Sequence, residues 1–229
     1  QPEPFATVGA ACIFFLAAIV AAAAVAVAGS TIFVSYAGDR WNDVAASSLA
    51  WWIGDLAAMS IITPFLVLTL DPLRHWVKGR KQPPSDRPEP GRVPTVVAAL
   101  ALTVVALAIV VAGARATGYT WYFVLFLPPL YAAYAIGPRG SALAALIVAL
   151  CSLGLQDAGL VQTRPLDLQL FMIGTAVASL LFAIVVEDWR RVHQTLLIEQ
   201  AHLESGVEAR TAELARANAL LEVEVRVRR

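Results

Sequence analysis

Along this chain the apolar positions gather into long unbroken blocks and do not follow the spacing of a soluble helix or strand. A bilayer core of about 30 Å needs about 20 mostly apolar residues per helix. Six blocks meet or approach that length: Phe5–Val34, Val44–Leu70, Val93–Ala114, Gly118–Ile136, Ser141–Leu155 and Leu168–Val186. They predict an all-α integral membrane protein, a bundle of about six transmembrane helices. The first block is too long for an upright span, so its helix should end near Gly29 or tilt. It is not read as a cleaved signal peptide, because its apolar run is too long and no basic segment precedes it. The fifth block is short and rich in alanine.

Beyond Val186 the pattern changes. Glu187–Arg229 is charged, rich in helix formers, free of proline and interrupted by Gly206 alone. Val207, Leu214 and Leu221 recur every seven residues, and Thr211, Asn218 and Val225 follow each by four. This is a short heptad seam with the first set at d and the second at a. Glu208, Glu213, Arg210 and Arg216 flank it, where interhelical ion pairs would fix register. Asn218 at an a position costs stability and specifies a parallel dimer. The other reading is a solvated amphipathic helix. The expected organisation is a transmembrane bundle over 1–189. A cytoplasmic linker helix, coiled-coil-like, follows over 190–229 and leads to an output domain. Gln1 in place of Met suggests a processed product or part of a longer protein.

Composition agrees with a membrane protein: 59% hydrophobic residues, 15% charged, and a mean hydropathy of +0.68. Seventeen basic residues balance seventeen acidic ones, so no nucleic-acid partner is indicated. Cys12 and Cys151 both lie in apolar runs, which excludes a disulfide framework and a cysteine zinc site. Arg74, Lys78, Arg80, Lys81, Arg87 and Arg92 crowd the connection after the second block. Arg139 sits in the Gly137–Gly140 turn, and Arg190 and Arg191 follow the sixth block, against only Arg40, Arg115 and Arg164 on the alternate side. The positive-inside rule then puts both termini in the cytoplasm. Trp41, Trp121 and Tyr122 mark the outer interface, and Trp76 and Trp189 the inner one. Residues 79–93 form a polar, proline-rich linker.

Candidate chemistry is sparse. His75, His193 and His202 are the only histidines. None has a partner at metal-ligand spacing, so no metal site and no cofactor is expected. His193 and His202 fall on opposite sides of the tail helix. No phosphate loop, nucleophile elbow or carboxylate pair occurs, so the chain carries no recognisable active site. Asp55, in Trp51-Trp52-Ile53-Gly54-Asp55, stands out. Eleven residues into its block, it lies about 16 Å from the outer end, near mid-bilayer. An ionisable group there faces the bundle interior with a partner as a rule. It is either a ligand- or proton-responsive carboxylate, or a structural one bonded to Ser, Thr or Tyr side chains or ionised beside Arg40 or Arg115. Gly54 would let a neighbouring helix approach closely. Pro64, Pro128 and Pro129 should kink their helices. Tyr131 and Tyr134, on one face, either line a pocket with Asp55 or sit near an interface. Thr175 and Ser179 read as interhelical hydrogen-bonders, and Cys151 as a packing residue.

Trp51-Trp52-Ile53-Gly54-Asp55 with the following Ile61-Ile62-Thr63-Pro64-Phe65-Leu66-Val67-Leu68 resembles the signature of the membrane-associated sensor domain of the first type (the MASE family). The run Leu127-Pro128-Pro129-Leu130-Tyr131-Ala132-Ala133-Tyr134-Ala135-Ile136-Gly137-Pro138-Arg139-Gly140 is similar to that family's later helix and turn. Arg210–Leu221 looks like the linker helix that commonly follows such sensors. The resemblance implies a bacterial sensory module set before histidine kinase, PAS or diguanylate cyclase domains. It also implies further helices before Gln1. The expected role is the membrane input and signal-transmission part of a sensor protein, foremost a two-component histidine kinase. The alternatives are a diguanylate cyclase input, a non-catalytic subunit docked on another membrane protein, and a small transporter using Asp55. The expected partners are the lipid bilayer and a second copy through the C-terminal helix.

Overall fold

The structure, a computed structural model, describes residues 5, 7–37, 44–77 and 92–227; the described side chains are those of 5, 7–36, 44–69, 93–211 and 214. Among the described residues six α-helices follow one another: α1 (Val8–Ala37), α2 (Val44–Val77), α3 (Arg92–Thr117), α4 (Leu127–Ala135), α5 (Pro138–Asp157) and α6 (Pro165–Val227). A 3-10 turn, Tyr122–Phe126, leads into α4, and no strand occurs among the described residues. The chain is all-α, and five of its helices are long and apolar enough to cross a membrane. The apolar segment Tyr122–Ala135 is shorter. By internal packing the chain divides into two units, Gln1–Glu187 and Asp188–Arg229.

Two expectations about helix limits change. Of the two outcomes open to the first block, an end near Gly29 or a tilted long helix, the first does not occur: α1 runs on to Ala37, past Gly29, whose neighbour on α2 is described below. The fourth block is not one continuous helix. Gly118 takes a positive φ of 73° and ends α3, and only at Tyr122 does helical structure resume. Pro128 and Pro129 do not interrupt the helix that follows but open it, standing in the first turn of α4. There their missing N–H groups belong to donors without an intrahelical partner in any case. Helix α2 continues through Pro64.

Within the first unit α6 is central. Its Leu180 and Ile184 pack with Phe5, Ala11 and Phe15, and with Val67 and Leu68 of α2. Further toward its start, Leu168, Met172 and Ala176 meet Ile61 of α2 and Ala149 of α5. A third cluster joins Ala106 and Val110 of α3, Leu125 of the 3-10 turn, Val148 of α5 and Val161, with Phe171 of α6 against it. Helix α4 lies against α3 and α5. Thr175 and Ser179, expected to bond between helices, bond within α6: Thr175 donates to Phe171 O at 2.9 Å and Ser179 to Ala176 O at 3.4 Å.

The turn between α4 and α5 shows why its residues are what they are. Gly137, at φ 92° and ψ −164°, occupies a region open essentially to glycine. Its N–H closes onto Ala132 O at 3.1 Å. Pro138 then begins α5. A Cβ on Gly140 would stand 2.4 Å from Cβ of Ile136, so the turn closes more tightly than any side chain there allows.

Candidate functional site

The motif Trp51–Asp55 fastens α2 to α1. Trp51 lies over Gly29: a Cβ at Gly29 would come within 2.5 Å of the indole ring. The same ring meets Phe33 at a centroid distance of 6.0 Å. Trp52 donates its Nε1–H to the Ile19 carbonyl at 3.1 Å. Ser30 and Ser48 share a hydrogen bond between the same two helices. The glycine inside α1 is thus a seat for an aromatic ring, which is why the helix passes through it unbroken. Glycine costs about 0.5–1 kcal/mol in a helix interior, and here that cost goes with a close aromatic contact.

Asp55 is placed by the same two tryptophans. It stands four residues after Trp51 and three after Trp52, so the three share one face of α2. Both indoles reach α1, and so Asp55 lies on the α1-facing side. The face α1 presents includes the buried alanines Ala18, Ala22 and Ala26. Asp55 is partly buried, and among the described residues its carboxylate has no hydrogen bond or ion pair. Arg115, one suggested partner, makes no contact with it; Arg40, the other, lies outside the described residues. Gly54 faces α6: its missing Cβ would stand 3.4 Å from Nε2 of Gln169. The close neighbour at Gly54 is therefore a long amide side chain.

The tyrosines are elsewhere. Tyr131 and Tyr134 are on α4, which packs on α3 and α5, and neither bonds to Asp55. Pro128 and Pro129 are fully buried. Pro64 is buried too, and it offers no N–H to the Ser60 carbonyl one turn before it. The buried Ser60 hydroxyl also lacks a hydrogen-bond partner among the described residues. Beside this point Ile61, Ala145, Val148, Ala149, Phe171, Met172 and Thr175 line an apolar cavity of about 10 Å³, room for one water at most.

Other polar groupings escaped the sequence reading. Tyr122 and Thr163 share a hydrogen bond at 2.7 Å, and Gln156 donates Nε2–H to the Thr163 carbonyl at 3.2 Å. These ties hold the 3-10 turn to the α5–α6 connection. Forty-one residues separate Tyr122 from Thr163, and no local pattern links them. Trp121 folds back over Gly113, whose Cβ would stand 3.4 Å from the indole. On the tail, Trp189 and His193 stack at 5.3 Å with rings 5° from parallel.

Of the tail positions read as a seam, Val207 and Leu214 are exposed, and the Thr211 hydroxyl bonds back to the Val207 carbonyl at 2.7 Å. Asn218, Leu221 and Val225 are helical in backbone, but their side chains lie outside the described residues. The loop 79–91, the side chains of His75 and Trp76, and Trp41 lie outside them as well. Among the described residues no group of three His, Cys, Asp or Glu is placed to hold a metal ion.

Residues 2–190 match the MASE1 family. No curated protein and no solved structure matches the chain. The match takes in all of α1 to α5 and the first part of α6, including the tryptophan motif and the Pro-Pro helix with its glycine turn. Among the described residues five helices apt for a membrane, α6 one of them, give that match its physical content. The chain belongs to the MASE1 family, the membrane sensor input domains of bacterial signalling proteins.

Proposed function

We propose that this chain is the input and transmitting part of a two-component sensor histidine kinase in a bacterial inner membrane, with both termini cytoplasmic. The observation that carries the reading is the continuity of α6. Its first half supplies the central core residues Leu168, Met172, Ala176, Leu180 and Ile184, and the same helix runs on without a break to Val227. Any stimulus that repacks the bundle acts on a helix that also forms the exit from it. The excess of basic residues around 71–92, 137–140 and 190–191 supports the orientation.

Within the bundle the input point is the α1–α2 face around Asp55. A half-buried carboxylate on the α1-facing side of α2, with no bonded partner among the described residues, changes its preferred surroundings when it gains a proton or a cationic ligand. Such a change would shift α1 against α2 about the Trp51–Gly29 contact. The exit helix would then present a second copy with a different rotation, two states that the stimulus stabilises unequally.

The test is made on the full-length natural protein in membrane vesicles, with labelled ATP and, separately, labelled GTP. Transfer of label from ATP to a histidine supports the kinase. Conversion of GTP to a cyclic dinucleotide overturns it in favour of a cyclase, and neither activity overturns both. Asp55→Asn should move the output level in whichever direction the uncharged state sets.

A further inference from the structure

The second unit, Asp188–Arg229, carries large apolar side chains open to solvent: Trp189, Val192, Leu196, Leu197, Ile198, Leu203, Val207 and Leu214. Their order is informative. From Val192 five of them, Val192, Leu196, Leu203, Val207 and Leu214, are separated by four, seven, four and seven, while Leu197 and Ile198 fall outside the series. The sequence continues the series to Asn218 and Val225. The repeat is therefore eleven residues: Val192, Leu203, Leu214 and Val225 on one line, Leu196, Val207 and Asn218 on the next.

Eleven residues in three turns is 3.67 per turn, close to the 3.6 of a free helix, so the stripe hardly drifts around the helix. The first set is central and the second about 33° to one side. A third set, Glu199, Arg210 and Leu221, stands about 33° to the other. The heptad frame that fits Val207 to Val225 fails upstream. It would put Arg190, His193, Leu197, Gln200 and Glu204 in the seam, one apolar residue in five. The eleven-residue frame puts Val192, Leu196, Glu199 and Leu203 there, three in four.

We propose that this stripe is the contact by which two copies of the chain associate, parallel and in register from Val192 to Val225, as an eleven-residue repeat. The inference rests on the proposed function for its dimer and adds the surface and its geometry. Three observations favour a second copy over another protein. A stripe of this spacing is matched by a helix with the same spacing, which a second copy supplies at every level. Two copies inserted the same way round in one membrane have parallel exit helices. The stripe is about 50 Å long, and with a helix about 10 Å wide it covers about 500 Å² on each copy, in total the ~1,000 Å² a specific interface requires. Among the described residues its side chains from Val192 to Leu214 are exposed. An eleven-residue seam also predicts a nearly straight, slightly right-handed pair, against the left-handed winding of a heptad. Glu199 and Arg210, at the edge of the stripe, face their own counterparts and hold the pairing below its maximum.

The experiment is a disulfide scan of the full chain in native membranes. Cys12 and Cys151 are replaced by serine, and single cysteines are set at each position from 188 to 225. The expected result is strong intermolecular cross-linking at 192, 196, 203, 207 and 214, with minima on the far side of the helix at 194, 201 and 205. Maxima at 193, 197, 200 and 204 in phase with 207, 211 and 214 would overturn the eleven-residue seam while leaving a dimer. No cross-linking anywhere in the tail would overturn the pairing itself, whatever nucleotide the full-length protein turns over. As a second measurement, Leu203→Asp should lower the dimeric fraction to about one tenth, and Ile198→Asp, at a side chain just as exposed, should leave it unchanged. Equal loss in both variants would also overturn the seam.

Discussion

At Gly29 there is no room for a side chain, because the Trp51 ring already occupies the place of its Cβ. Gly29→Ala should therefore destabilise the bundle by about 1–3 kcal/mol, the usual cost of overpacking, despite alanine's better helix propensity. Thermal unfolding in mild detergent would read this, and adding Trp51→Leu should recover part of the loss by shortening the opposing group. If Gly29→Ala raises the unfolding temperature, the aromatic seat is not a close contact. Asp55 behaves differently. With no bonded partner among the described residues, its half-buried carboxylate adds no hydrogen bond or ion pair to the fold. Asp55→Asn should leave the bundle as stable or raise its stability by up to about 1 kcal/mol. A loss of more than that amount in the same unfolding measurement would reveal a partner, Arg40 being the nearest in sequence to consider. Of these features, the sequence made Asp55 visible because a charge inside an apolar block is rare. It hid the seat at Gly29, since a contact between residues twenty-two apart on two helices leaves no periodic trace.

Between residues and the whole lie the helices and their turns. The limits of α2, α3 and α5 were legible to within a few residues at most ends, since apolar runs stop where arginine, proline or glycine begins. The Gly137–Gly140 turn was legible as a turn, though the reason for each glycine is tertiary or torsional. Gly137→Ala places a Cβ at φ 92° and should cost about 1–2 kcal/mol. Its effect can be measured by the same detergent unfolding, with Gly154→Ala, where no atom stands within 4 Å, as the tolerant control. The fourth block was misjudged in length because hydropathy counts aromatic residues alike in helix and in turn. Tyr119, Trp121 and Tyr122 are apolar enough to extend a span, but the chain passes Gly118 at a positive φ and begins again as a 3-10 turn. Pro128 and Pro129 fit either a kink or a helix start, and only the backbone before them decides between the two.

On the scale of the molecule, α6 is the helix by which the proposed signal would leave the bundle. Gly206 is its one glycine beyond the membrane portion, and no atom lies within 4 Å of where its Cβ would be. Gly206→Ala should stabilise the tail helix locally by about 0.5–1 kcal/mol. Slower amide hydrogen exchange around residues 203–210 would register it; unchanged exchange there would mean that the helix is already held by a partner. The short fourth element has a consequence of another kind. Five residues of 3-10 helix at about 2.0 Å each and nine of α-helix at about 1.5 Å reach about 24 Å, against about 30 Å for the hydrocarbon layer. As the sixth span expected from the sequence, α4 would require the adjoining lipid to thin by some 6 Å or water to reach the Gly118–Trp121 segment. A bilayer of shorter acyl chains removes that strain and a thicker one adds to it, so the bundle should unfold at higher temperature in thin membranes than in thick ones. Were α4 a span, membrane thickness would be a physical variable to which this protein is mechanically coupled, beside any chemical stimulus it answers.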